Sequence, residues 1–230
     1  MKNKIADLRF INNSGILSSE DQAKIQAMRI LIVGVGGLGG YLAHALCRMG
    51  VHDMCLVDKD LFSITNLNRQ LFSTPQNIGQ PKVDIVKREL LSICPDLSVK
   101  THFSKIEEVD ESVFKNIDIV FDAVDNIHCK IYIEKLCGIH NRPLIHGAIG
   151  GWYGQVGISL ANSNLLKDYY QQATSGLEQE MKAPTFVPPF VAHLMVAQFV
   201  MFCLNKEEAL INQILNIDML NNDLRVIYRK

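Results

Sequence analysis

With 230 residues, 48% of them hydrophobic, the chain is long enough to bury roughly 70% of the surface its unfolded form exposes, so it needs no covalent staples to fold. Its 23 basic and 24 acidic residues leave a formal net charge of −1, which argues against nucleic acid as the main partner, because that role calls for a basic field. The six cysteines form no C-x-x-C pair and four lie inside apolar runs, the pattern of a reduced, cytoplasmic protein without a zinc site.

Met1 to Asp7 carries positive charge with no apolar stretch behind it, which is not the pattern of a secretory signal. Arg9-Phe10 falls in an irregular arm that could reach a neighbouring subunit or leave the arginine in solvent. Ser18-Ser19-Glu20-Asp21 has capping-box spacing and predicts a helix to about Met28. Ile30 to Val33 is an unbroken apolar run ended by glycine, as in a strand buried on both faces. Leu38 to Met49 then keeps apolar residues at helical spacing, and Met54 to Val57 is a second buried strand. Gly34, Gly36 and Gly39 stand at G-x-G-x-x-G spacing. Glycine there permits a tight turn, close approach to phosphates and close helix–strand packing, with the helix N-terminus facing an anion. Asp58, nineteen residues after Gly39, ends the second strand where a carboxylate accepts hydrogen bonds from ribose hydroxyls. The same glycines would also suit a turn that only packs a helix on a strand.

Lys59 to Phe72 mixes charges and amides without a period and is too polar for a mere connector. Pro81 suits a first helical position, and the helix it opens runs through Ser92. Lys82 then sits in the first turn, where a cation opposes the helix dipole unless an anion binds nearby. Leu97 to His102 is a strand, Asp110 caps a short helix to about Lys115, and Ile117 to Val124 reads as a central buried strand. Asp125-Asn126 follows at its carboxyl end. Ligands of open parallel sheets bind outside the carboxyl ends of strands, so Asp58 and Asp125 could face one crevice; Asp125 could equally cap the helix Ile127 to His140. Leu144 to Ile149 and Tyr153 to Leu160 are further strands, set among glycines that mark close backbone approach or bulges. Asn162 to Thr185 is expected to be a mobile loop with one helical turn. Ala183 to Asn205 holds no Asp, Glu, Lys or Arg. Pro188-Pro189 should confine its helix to Phe190 to Leu204, roughly 22 Å against a hydrocarbon core of about 30 Å, so no membrane span is expected. A core or dimer-interface helix is expected there instead. Ile214 to Leu220, the turn Asn221-Asn222 and Leu224 to Arg229 form a terminal hairpin. Together the elements predict an α/β fold: a Rossmann-like doubly wound, mostly parallel sheet with a C-terminal antiparallel hairpin extension.

A dinucleotide dehydrogenase would use the glycine loop and Asp58 but has no need of Arg69 and Lys82 just beyond them. A triphosphate does: two cations clamp phosphate oxygens, and a carboxylate such as Asp125 holds magnesium. No G-x-x-x-x-G-K-[ST] is present, which excludes a P-loop.

Five ordered motifs carry a resemblance. Gly34-Val-Gly-Gly-Leu-Gly39, Asp58-Lys-Asp60, Asn66-Leu-Asn-Arg69-Gln70, Gly79-Gln-Pro-Lys82 and Asp122-Ala-Val-Asp125-Asn126 together resemble the ThiF/MoeB/HesA family of adenylyltransferases, which is similar to the adenylation half of ubiquitin-activating enzymes. The resemblance runs from Arg9 to the Ile217-Asp218 strand and implies one adenylation domain over residues 1–230. Its parts would be an N-terminal arm and helix (1–28), a nucleotide-binding core (29–150) and a carrier-binding and dimer part (151–230). It implies ATP and Mg2+ as cofactors. Gly34, Gly36, Gly37, Gly39, Asp58, Asp60, Asn66, Arg69, Gln70, Lys82, Asp125 and Asn126 would bind them. Asp58 would hold the ribose; Asn66, Arg69 and Lys82 the phosphates; Asp125 the metal; and Arg69, Lys82 and Asp125 would be the catalytic residues. The C-terminal glycine of a small ubiquitin-fold sulfur-carrier protein, from thiamine or molybdopterin/tungstopterin synthesis, would attack the α-phosphate in a homodimer. A tRNA-modifying dehydratase of the same superfamily and a non-catalytic carrier-binding module are the alternatives.

Three departures qualify the match. Members commonly open with R-[YF]-x-R-Q, whose second arginine reaches across the dimer; here Asn12 stands in that place, leaving Arg9 as the candidate trans arginine. The two C-x-x-C zinc pairs of many members are missing. No cysteine lies between Gly138 and Phe202, so the chain is expected to stop at the adenylate without a covalent relay.

Overall fold

The computed structural model describes residues 8–171 and 181–228. Eight strands form one sheet in the order β3-β2-β1-β4-β5-β6-β7-β8. They are β1 (Arg29–Val33), β2 (Asp53–Val57), β3 (Ser98–His102), β4 (Ile119–Asp122), β5 (Leu144–Gly150), β6 (Tyr153–Ser159), β7 (Gln213–Asp218) and β8 (Asp223–Tyr228). The first five pair in parallel, and β6, β7 and β8 pair antiparallel, so the antiparallel part is three strands wide. The helices are α1 (Ser19–Ala27), α2 (Gly37–Met49), α3 (Lys82–Ile93), α4 (Ile127–Ile139), α5 (Leu165–Tyr169) and α6 (Val187–Cys203).

Strand alternation divides the core between the two faces of the sheet. Ile30, Ile32, Met54, Leu56, Ile119 and Phe121 point to one face, where they join α2, α3 and α6. Leu31, Val33, Cys55, Val57 and Val120 point to the other, where α4 and α5 cover them. This double burial is why β1 and β2 read as unbroken apolar runs.

The capping box of α1 is present, Ser18 Oγ accepting from Asp21 N at 3.1 Å and Asp21 Oδ2 from Ser18 N at 3.2 Å. The arm expected to be irregular is instead a 3-10 helix, Leu8–Gly15, anchored by buried Phe10. Helix α6 begins three residues before the expected Phe190, because Pro188 and Pro189 sit in its first turn, where no backbone N–H is needed. At 17 residues it still spans only about 25 Å, and among the described residues no helix is long and apolar enough to cross a membrane. Within the stretch expected to be a mobile loop, α5 supplies the helical turn, and residues 172–180 lie outside the described residues.

At the amino-terminal edge of the sheet Asp118 accepts hydrogen bonds from Arg29 N (2.9 Å), Nε (3.0 Å) and Nη2 (2.7 Å), tying β1 to β4. The Arg29 guanidinium holds the Asp118 carboxyl below its usual value of 3.8. A depressed folded-state pKa contributes stability that is complete above the unfolded value and fades as pH falls through the folded one. Asp118→Asn should therefore lower Tm at pH 7, and the difference from wild type should shrink on acidification below about pH 4. Thermal melts of both proteins across that range check this.

Candidate functional site

Strand β1 is followed by β2 on one side and neighboured by β4 on the other, so the carboxyl ends of these strands open a crevice at the switch point of the sheet. A pocket of about 430 Å³ lies there, lined by the glycine turn, Asp58, Asp60, Asn66, Arg69, Gln70, Lys82, Asp125 and Asn126. Of the twelve residues expected at a cofactor site, Gly39 alone does not line it.

Gly39 works underneath. A Cβ there would lie 1.8 Å from the Gly34 carbonyl oxygen, so only glycine lets α2 press onto the turn. Gly34 has φ +87°, and its own Cβ would meet the Ala123 oxygen at 2.7 Å. Gly36 and Gly37 serve a different purpose: side chains there would reach toward Gln70 and Lys82 Nζ, and toward Arg69, filling the space between the turn and the cations. The turn and the start of α2 thus form a cradle with an unobstructed floor.

Asp58 is buried, and both its oxygens accept backbone N–H groups at 2.8 Å, Oδ2 from Val35 and Oδ1 from Asp60. Burial raises its pKa, against the opposing pull of Lys82 and these two amides. Each oxygen keeps a further lone pair for a ligand hydroxyl. The loop after β2 folds back on the entry to α3: Phe62 N donates to Gln80 O at 2.9 Å and Lys82 N to Asp60 O at 3.0 Å. This brings Lys82 Nζ to 3.0 Å from Asp60 Oδ2. Lys82 is thereby a buried cation, 6% exposed, and not a solvated one; it is paired on one side and borders the pocket on the other.

Asn66 Oδ1 accepts from Ser63 N at 2.9 Å, which shapes the loop and leaves the amide nitrogen for other partners. Arg69 Nη1 donates to Thr65 O at 3.0 Å and Asn68 Oδ1 at 3.1 Å, laying its side chain beside Gly37. Gln70 is 7% exposed and its Oε1 is a buried acceptor without a partner among the described residues. A buried acceptor left unpaired is costly, so this atom fits a site that receives hydrogen-bond donors from a ligand or its water.

The cap of α4 is Asn126, whose Oδ1 accepts from Cys129 N at 2.8 Å. Asp125 is thus spared the capping task and stands exposed at the pocket wall. Arg9 is not brought to this pocket. Its guanidinium clasps Asp96 within the same chain at 2.6 and 2.9 Å, before the start of β3 and so at the opposite end of the strand from the crevice. His52, Cys94 and Asp96 gather there in a spacing that could suit a metal, but the Arg9 guanidinium already occupies the Asp96 and Cys94 acceptors.

Ser104, Lys105, Ile106 and Glu107 line the pocket from the loop after β3 and Cys129 lines it from the first turn of α4, with no spacing in the sequence to mark them. The only signal available was their position beyond a strand's carboxyl end. Burial pushes the Cys129 thiol up to about 12, and likewise Cys47 and Cys203, with Cys55 at about 11; Cys94 and Cys137 are also raised. None of the six is a ready thiolate at neutral pH.

The ThiF family model matches residues 8–229. A molybdopterin-synthase adenylyltransferase of Haemophilus influenzae is 33% identical over 188 residues, 77% of this chain and 77% of the relative. A tRNA threonylcarbamoyladenosine dehydratase of Bacillus subtilis is 38% identical over 141 residues, covering 60% of this chain and 55% of that protein. In three dimensions the chain is similar to E. coli MccB solved with ATP, at TM-score 0.79 and 22% identity over 98% of this chain and 72% of that one.

The glycines divide into two testable kinds. Gly39→Ala should destabilise the fold by on the order of 4 kcal/mol, because backbone must move to admit the methyl group. Gly37→Ala should melt within a few degrees of wild type, since the nearest atoms its Cβ would meet belong to the flexible Arg69 side chain at 3.6–3.8 Å, yet bind ATP more weakly. Melting curves and calorimetric titration with ATP separate the two outcomes.

Proposed function

Since the chain belongs to the ThiF family of ATP-dependent adenylyltransferases, we propose that its pocket aligns ATP for attack by the C-terminal glycine carboxylate of a small ubiquitin-fold sulfur-carrier protein. The products are an acyl-adenylate and pyrophosphate. The observation that carries this reading is the convergence of buried Lys82, Arg69 and exposed Asp125 on the glycine cradle, an arrangement suited to phosphates that a dinucleotide site does not call for. The H. influenzae relative's name supports a molybdopterin-type carrier, with a thiamine-type carrier as the alternative.

In this reading the spare lone pairs of Asp58 accept the ribose hydroxyls, and the open N-terminal turn of α2 faces the phosphates. Lys82 Nζ keeps one N–H on Asp60 and offers the others to phosphate oxygens, while Arg69 and the Asn66 amide approach from the loop above. Asp125, with Asn126 beside it, is the residue to hold magnesium, which would supply charge neutralisation on the phosphates. No nucleophile on the enzyme is required, because positioning and charge neutralisation suffice for an in-line displacement. The high-lying thiols agree with an enzyme that releases its adenylate without a covalent relay, and six free cysteines agree with a reducing, cytoplasmic setting.

The dimer belongs to the same proposal. On α6, Phe190, Leu194, Ala197 and Met201 form a stripe at helical spacing that the sheet does not cover fully, Phe190 being 40% exposed. A second copy of this chain would bury it. A single sedimenting species near 25.8 kDa at micromolar concentration would contradict the homodimer.

The B. subtilis relative favours a second reading, dehydration of a modified tRNA base after adenylation, against which the net charge of −1 weighs. Incubation with ATP, Mg2+ and either candidate carriers or tRNA, read by pyrophosphate release and intact mass, decides between them. A carrier heavier by one adenylyl group is expected; turnover with tRNA alone would favour the dehydratase. Lys82→Gln should lose a charge-assisted contact of about 1.5 to 3 kcal/mol in turnover, and Asp125→Ala should abolish adenylation. A folded cysteine-free variant should still form adenylate, and its failure to do so would sink the no-relay reading.

A further inference from the structure

Behind the pocket wall lies a group of charges that the reaction scheme leaves without a task. Asp122 at the end of β4, Lys130 on α4 and His146 on β5 are 0%, 2% and 0% exposed. Lys130 Nζ donates to both Asp122 oxygens at 3.2 and 3.3 Å and to Gly147 O at 2.9 Å. His146 Nδ1 lies 2.7 Å from Asp122 Oδ2. Burial acts to raise the Asp122 pKa, but Lys130 and His146 outweigh it and hold the carboxyl below its usual value. Burial lowers the His146 pKa against the opposing pull of Asp122, and Lys130 is the cation that faces the Asp122 carboxylate directly.

The position of this pair gives it a direction. Asp122 Oδ1 also accepts from Val124 N at 3.1 Å, which bends the chain immediately before Asp125. Asn126 caps α4 immediately after it. Lys130, in the next turn of α4, closes the loop back to Asp122, so the two residues flanking Asp125 hang from one buried ion pair. Along the same helix Glu134 accepts from Leu166 N at 2.8 Å and Lys167 N at 3.0 Å, and His146 Nε2 lies 3.1 Å from Tyr170 Oη. The turn, α4 and α5 are therefore bound as one unit through polar contacts.

A buried ion pair gains little stability over an apolar pair of equal volume, so its value lies in the geometry it fixes. Building on the adenylation reading, we propose that Lys130, acting through Asp122, is a positioning residue that holds Asp125 in place to receive the magnesium of the bound nucleotide. Lys130 itself, enclosed behind the pocket wall, is not among the residues that line the pocket.

The test uses the double variant Asp122→Asn/Lys130→Met, which removes equal and opposite charges at similar volume. ATP affinity is measured by calorimetry with and without Mg2+, beside a melting curve. The magnesium-dependent gain in affinity should fall about tenfold or more, as outer-shell changes typically cause, while magnesium-free affinity stays at the wild-type level. A folded double variant that keeps the full magnesium-dependent gain overturns the proposal. Should that variant fail to fold, the wild-type protein decides through the 15N resonance of His146 Nδ1. Its shift on adding Mg2+ to the ATP complex supports the positioning role, and no shift overturns it. Wild-type protein that binds no ATP and releases no pyrophosphate overturns the adenylation reading itself, and the proposal with it.

Discussion

The contact between Gly39 and Gly34 is the constraint from which the site is built. With 1.8 Å between a hypothetical Cβ and the Gly34 oxygen, no other residue at 39 lets α2 start against the end of β1. Because α2 starts there, its N-terminal turn faces the crevice beyond β1, β2 and β4. The cradle formed by Gly36 and Gly37 and the docking of the 58–62 loop onto the entry to α3 then bring Lys82 and Arg69 to the same space. The parallel half of the sheet presents the turn, while β6, β7 and β8 extend the sheet away from it.

Charge is distributed unevenly around this frame. Among the described residues of a chain of net charge −1, four of the five buried Asp, Glu, Lys and Arg side chains lie at the carboxyl ends of the strands, Asp58 and Lys82 at the pocket and Asp122 and Lys130 directly behind it, with Glu134 further along α4. Among the described residues each buried cation has a carboxylate partner, so none of these carries the full cost of an isolated charge in the interior. Lys82 differs from Lys130 in also bordering open space. That difference separates a group able to meet phosphate from one able only to hold its neighbours still.

Much of this was legible in the chain itself, and the omissions have physical reasons. The β1–α2–β2 unit is readable because burial on both faces removes polar residues from the strands, and the glycine spacing is sterically enforced. Asp125 and Asn126 are not separable by type, since either side chain can cap a helix and an offset of one residue decides which does. The start of α6 is misread because proline ends a helix everywhere except in its first turn. The arm at Leu8–Gly15 has a 3-10 form too short to show a period. Lys130 looks like any solvated helical lysine, and its partner looks like a strand residue; only the crossing of α4 over the end of β4 joins them. Ser104 to Glu107 line the pocket by topology alone, with no spacing to announce them.

Paired calorimetric titrations distinguish a triphosphate site in the crevice from a dinucleotide site. A triphosphate site formed by Lys82, Arg69 and the glycine turn should bind ATP with Mg2+ saturably and show no comparable binding of NAD+. Tight binding of NAD+ with no heat from ATP and Mg2+ would contradict it.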